Sequence, residues 1–202
     1  MYIPPAFAEN RPEELLAIMR AASLPILITP TAAGLAITHL PLLVAGPDRI
    51  IGHVAKANPQ WRQALPGAES VAIFTAVDGY VSPNWYATKA ETHKVVPTWN
   101  YQAVHATGTL EIIEDTQELL AIVTALVNHH EAGRPAPWAV ADAPPAYIAT
   151  QLKGIIGIVL HVTKLEGAAK LSQNKTLPDR HGVIKGTATE NPALSEAIKR
   201  TL

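Results

Sequence analysis

Apolar positions along this chain recur mostly at every second residue, in short runs broken by proline and glycine, and in a few stretches the spacing lengthens to that of a helix. The first helical stretch opens at Asn10-Arg11-Pro12-Glu13. Asn10 is placed to cap, Pro12 to sit in the first turn and Glu13 to complete a capping box, and Leu15, Ile18, Met19 and Ala22 then share a face. After Pro25 the period changes to two. Ile26-Leu27-Ile28-Thr29 reads as a strand, Pro30 to Gly34 as a turn and Leu35 to Val44 as the returning strand of a hairpin. Gly46-Pro47-Asp48 marks a turn, Arg49 to Val54 the next strand, and Asn58-Pro59 the cap and first residue of a short helix that ends before Pro66-Gly67.

Val71, Ile73 and Thr75 alternate as in a half-buried strand, with a turn expected at Asp78-Gly79 and a long loop from Ser82 to Lys94. From Trp99 a long strand runs through Val104, Ala106, Gly108, Leu110 and Ile112. Asp115 with Glu118 then forms a second capping signature, and Leu119, Ile122, Val123, Leu126 and Val127 make a clear helical stripe. Gly133 to Pro145 carries four of the seventeen prolines and reads as an extended connection. A short helix follows Pro144 or Pro145, gathering Tyr147, Ile148 and Leu152. Ile155 to Val162 is apolar enough for a central strand, and Thr163 to Leu171 is expected to double back on it through Gly167. A polar tail from about residue 175 ends in a helix capped by Asn191 and opened by Pro192. Many short strands, few helices and no strand–helix alternation predict a mainly β fold. The expected form is an antiparallel, Greek-key-like barrel with flanking helices, as a single domain over residues 1–202.

Composition narrows the chemistry. Apolar residues make up 48% of the chain, enough for a substantial core. Without cysteine there is no disulfide and no thiolate metal site. Sixteen basic residues against seventeen acidic ones leave a net charge of -1, so neither charge nor a helix-turn-helix pattern supports direct DNA binding. The start lacks a basic segment followed by an apolar run, and no apolar stretch approaches the ~18 residues of a membrane span; a cytoplasmic, soluble protein without membrane contact is expected. Nucleotide-loop, hydrolase-elbow and zinc-protease motifs are missing. In His129-His130-Glu131 adjacent side chains diverge by about 100° on a helix, so no metal site is expected there.

One stretch, Ile50 to Ile113, stands apart because three of the four tryptophans fall in it, interleaved with lysine, histidine, asparagine and serine. Flat rings beside cationic and hydroxyl donors suit a planar, anionic ligand. The candidate binding residues are His53, Lys56, Asn58, Ser82, Trp85, Tyr86, Lys94, Thr98, Trp99 and Asn100. His53, Lys56 and Asn58 lie where a strand passes into a short helix, a place that offers both backbone and side-chain donors to a phosphate; a solvent-exposed turn explains them equally well. Trp85, Tyr86, Trp99 and Tyr101 fit either a stacked ligand or a subunit interface.

Met1-Tyr2-Ile3-Pro4, Gly52-His53-Val54-Ala55-Lys56-Ala57-Asn58-Pro59-Gln60-Trp61, Ser82-Pro83-Asn84-Trp85-Tyr86, Lys94-Val95-Val96-Pro97-Thr98-Trp99-Asn100-Tyr101 and Lys170-Leu171-Ser172-Gln173-Asn174 resemble the PaiB family of FMN-binding negative transcriptional regulators over nearly the whole chain. The resemblance implies an FMN-binding split β-barrel, a homodimer with FMN at the subunit interface, and a flavin phosphate near His53 to Asn58. It also implies a repressor role. The alternatives are a flavin-dependent oxidoreductase and a haem-binding or haem-degrading protein with His53, His105 or His161 as axial ligand.

Overall fold

The computed structural model describes residues 1–202. In chain order the strands are β1 (Ala8–Glu9), β2 (Ile26–Thr31), β3 (Gly34–His39), β4 (Leu42–Val44), β5 (Arg49–Ala55), β6 (Glu69–Val81), β7 (Thr98–Ile113) and β8 (Ile155–Lys170). The helices are α1 (Pro12–Ala21), α2 (Gln60–Gln63), α3 (Thr88–Thr92), α4 (Thr116–Glu131), α5 (Pro145–Leu152), α6 (Leu177–Glu190) and α7 (Pro192–Lys199). The strands form one sheet in the order β3-β2-β6-β7-β8-β5-β4, with β1 paired to β8. The chain divides into two compact units, one of Met1–Ala22, Thr75–His105 and Glu166–Leu202, the other of Ser23–Phe74 and Ala106–Leu165. No helix is long and apolar enough to cross a membrane.

In the unit holding residues 23–74 and 106–165, β2 and β3 pair from Ile26↔His39 to Thr31↔Gly34, so the turn is only Ala32-Ala33, tighter than expected. The returning strand is shorter than its apolar run. Pro41 interrupts it, and Leu42–Val44 leaves β2 to pair with Ile50–Gly52 as a separate strand. Asp115 caps α4 as the sequence predicts, its Oδ1 accepting from the Gln117 and Glu118 amides at 2.9 and 3.0 Å. The stripe Leu119, Ile122 and Leu126 is buried, and Ile122 and Leu126 pack with Ile51, Ile113 and Val159. The helix comes this close because Gly157 has no side chain: a Cβ there would press on Ile113, Ile122 and Leu119 at 3.0–3.2 Å.

In the other unit five expectations need correction. β6 runs straight through Asp78-Gly79, and β8 runs straight through Gly167, so neither glycine makes a turn. Both are places of close approach. A Cβ on Gly79 would strike Leu194, and one on Gly167 would enter Leu15 and crowd the Glu9 carbonyl across the β1–β8 pair. The 82–94 segment is not a plain loop, since it folds into a 3-10 turn over Pro83–Trp85 followed by α3. Helix α1 starts one residue later than predicted, with Arg11 rather than Asn10 as its N-cap; Glu9 accepts from the Arg11 amide at 3.0 Å and pairs with its guanidinium at 2.6 Å. The tail is also more ordered than its polarity suggests, because α6 precedes the expected α7. Val183 of α6 and Leu194 and Ile198 of α7 close a core with Val81, Tyr86 and Leu171.

Candidate functional site

At the end of β8 the chain reverses through Ser172, which takes the left-handed conformation at φ 64. Gln173 holds the reversal, accepting from the Leu171 amide at 2.7 Å and donating to the Ala169 carbonyl. The reversal brings Lys170 and Lys175 onto one cavity of ≈ 200 Å³, whose polar wall is completed by Thr98, Asn100, Ser172 and Asn174, with Phe7, Val96 and Pro97 as its apolar part. No carboxylate lines it. Lys170 donates from Nζ to Thr98 Oγ1 and lies 5.9 Å from the Phe7 ring centre. Burial, and then the Lys175 charge, hold the Lys170 ammonium below its ordinary pKa. Lys175 stands 4.9 Å over the ring of Tyr86.

Asn100 sits on the inward face of β7 and is fully buried. Its Nδ2 donates to Ser172 Oγ at 2.8 Å, while Oδ1 has no partner. A buried amide oxygen without a donor costs about 1–3 kcal/mol. A ligand donor at the cavity, or rotation of the amide to present its NH2 to an anion, would relieve that cost. Two ammoniums, two hydroxyls and two amides around one small space make a donor-rich receptor for an anion.

Of the ten residues singled out from the sequence, Thr98 and Asn100 line this cavity and Tyr86 adjoins it through Lys175. Ser82 caps the 3-10 turn by accepting from the Asn84 amide at 3.2 Å. Trp85 is half-buried against α6, where Gly182 and Gly186 leave room for it. Burial, followed by the Asp179 charge, raises the Tyr86 phenol's pKa. Lys94 is exposed. Trp99 alternates outward, 55% exposed, in an edge-to-face pair with Tyr80 at 6.3 Å. Sequence reasoning missed Lys170, Ser172, Asn174 and Lys175 as residues of this cavity; the available signal was a pair of lysines flanking a Ser-Gln-Asn turn straight after a long strand.

The three remaining candidates belong to the other unit and do not share a cavity. Lys56 lines a space of ≈ 240 Å³ that includes neither His53 nor Asn58. The Asn58 side chain is engaged, donating to Thr38 Oγ1 at 2.9 Å and accepting from the Gln60 amide at 2.9 Å. The His53 ring has a buried Nδ1 without a partner, and burial lowers its pKa. Of the other two histidines considered as haem ligands, His161 is held by Glu111 at 2.6 Å. The pKa of His105 is lowered by burial and by the N-terminal amine, against the opposing pull of Glu166.

Residues 1–164 match the family described as "Putative FMN-binding domain". The "Protease synthase and sporulation protein PAI 2" of Bacillus subtilis is 34% identical over 196 residues, covering 95% of this chain and 92% of that protein. Among solved structures, the flavocytochrome Anf3 from Azotobacter vinelandii superposes with a TM-score of 0.63 at 17% identity, covering 81% of this chain and 69% of that one. The FAD and heme binding protein from Mycobacterium smegmatis gives 0.61 at 17% identity, covering 81% and 73%. The fold is the one these proteins share, an antiparallel split barrel with flanking helices.

Proposed function

Because this chain belongs to the PaiB-type family of FMN-binding domains, we propose that it binds FMN and that the cavity between Lys170 and Lys175 takes the phosphate. One observation carries this reading: two ammonium groups share a space of ≈ 200 Å³ with no carboxylate on its wall. Like charges brought together and partly desolvated repel, and an anion between them turns that cost into two charge-assisted contacts. Thr98 steers Lys170, Asn100 and Ser172 fix each other, and Phe7 forms part of the apolar wall. FMN supplies the electron chemistry; the protein binds and orients it.

The family resemblance also supports a homodimer, and the exposed Tyr80–Trp99 pair gives such an interface an aromatic centre. A regulatory role rests on the resemblance to the PaiB family alone. With a net charge of -1, that role does not run through a strong direct grip on DNA.

Fluorescence titration with FMN and riboflavin tests the proposal. Removing one charge-assisted contact costs about 1.5–3 kcal/mol, so Lys170→Ala weakens FMN roughly ten- to hundred-fold and leaves riboflavin, which has no phosphate, nearly unchanged. Lys56→Ala is the counter-test: a phosphate-specific loss there, with Lys170→Ala silent, moves the phosphate to the β5–α2 junction. A flavin spectrum in the freshly purified protein supports the reading, whereas a Soret band would favour haem.

A further inference from the structure

An apolar cavity lies elsewhere, and nothing in the flavin reading uses it. It is a groove of ≈ 530 Å³ between α4 and α5, floored by Leu120, Ile148 and Leu152 and closed by Val140, with no charged side chain on its walls. Its volume is that of a small-molecule site. Thr116 and Asn128 mark its limits along α4, 128 − 116 = 12 residues apart, or roughly 18 Å at the helical rise of about 1.5 Å per residue. The Thr124 hydroxyl, which faces the groove, is already bonded to the Leu120 carbonyl at 2.7 Å, so the middle of the groove makes no polar demand.

At one end the walls are shared. Thr116, Ala149 and Leu152 also line the ≈ 240 Å³ cavity that holds Lys56, Lys153 and Glu114, so the apolar groove opens into a mouth with one excess positive charge. We propose that this groove binds a single-chain anionic amphiphile, a fatty acid, with its alkyl chain along α4 and α5 and its carboxylate at Lys56 and Lys153. A neutral apolar molecule would leave the cationic mouth unused, and the polar-edged flavin finds few partners in a groove whose only polar side chains are Thr116, Thr124 and Asn128. Burial of the chain supplies most of the affinity, in proportion to the number of methylenes covered. The exposed lysines supply direction.

Trp138, 44% exposed and next to the lining residue Ala139, is a built-in reporter. The purified protein is titrated with laurate below its micellar concentration, following tryptophan fluorescence and calorimetric stoichiometry. The expected result is saturable binding of one laurate per chain, a fluorescence change that Trp138→Phe removes, and no binding of hexanoate. Lys153→Ala weakens laurate about two- to five-fold, the scale of an exposed ion pair, and leaves dodecanol unchanged. Leu120→Glu, on the partly exposed face of α4, abolishes both ligands; Ala149→Phe, which fills the groove from the α5 side, gives the same loss should the first variant fold poorly. Absence of saturable binding, laurate binding unaltered by both groove variants, or displacement of laurate by FMN would each overturn the assignment.

Discussion

The carboxylate of Asp179, 4% exposed on α6, accepts two hydrogen bonds from Thr88 of α3, one from its amide at 2.9 Å and one from its hydroxyl at 2.8 Å. Burial alone would raise the pKa of this carboxyl. The Thr88 bonds, the Thr176 hydroxyl and the nearby Lys175 outweigh burial and hold it below the usual carboxylate range. Its folded-state pKa is therefore depressed, and its stabilising effect is complete above the unfolded pKa of about 3.9 and is lost as pH falls below that value through the folded one. Asp179→Asn keeps the shape but not the charge. It is expected to lower stability at pH 7 by about 1–3 kcal/mol and to flatten the loss below pH 4, read from urea midpoints across pH.

Gly186 predicts a packing penalty. A Cβ at this position would enter the indole of Trp85, although alanine is worth about 1 kcal/mol more than glycine inside a helix. Overpacking costs about 1–3 kcal/mol. Gly186→Ala should therefore be destabilising or neutral rather than stabilising, with altered Trp85 fluorescence in the folded state; a gain close to the full propensity difference would show that the Trp85 contact is loose.

His53 predicts a pH dependence. Burial disfavours its charged form, so its folded pKa lies below the unfolded value of about 6.5, and Nδ1 has no partner to compensate. In the window below pH 6.5 the unfolded chain binds a proton that the native state refuses, and stability falls with pH until the folded pKa is passed. His53→Gln, which cannot titrate, should show a shallower slope between pH 6.5 and 5 than the wild type in thermal-melt series.

Trp99 tests the proposed dimer. Trp99 and Tyr80 are 55% and 48% exposed, and large exposed aromatics concentrate at interface centres. Light scattering should give about twice 21.6 kDa for the wild type and 21.6 kDa for Trp99→Glu. A monomeric wild type at micromolar concentration would remove the interface.

Local signals in the sequence were enough for elements whose cause is local. The α4 helix follows from Asp115 and the Leu119–Ile122–Leu126 stripe, α7 from Asn191-Pro192, and β7 from its alternation. Gly79 and Gly167 look like turn residues in the sequence, because a glycine's permissiveness is local while its use there is not; each leaves space for a side chain distant in sequence, Leu194 and Leu15. Helix α6 was illegible for the same reason. Its packing face is built from Gly182 and Gly186 against Trp85 and from buried Asp179, Arg180 and Thr187, so no apolar stripe marks it, and only the Thr176 cap and Pro178 hint at its start. Site chemistry divided in the same way. Thr98 and Asn100 stood out as polar residues among aromatics, but their partners come from β8 and the turn after it, 72 residues on. The convergence of Lys170 and Lys175 depends on a left-handed Ser172, a conformation uncommon for serine that its neighbours hold in place through Gln173 and Asn100. Composition set the kind of ligand such a chain could hold; the tertiary pairing of β7 with β8 decided which donors stand together.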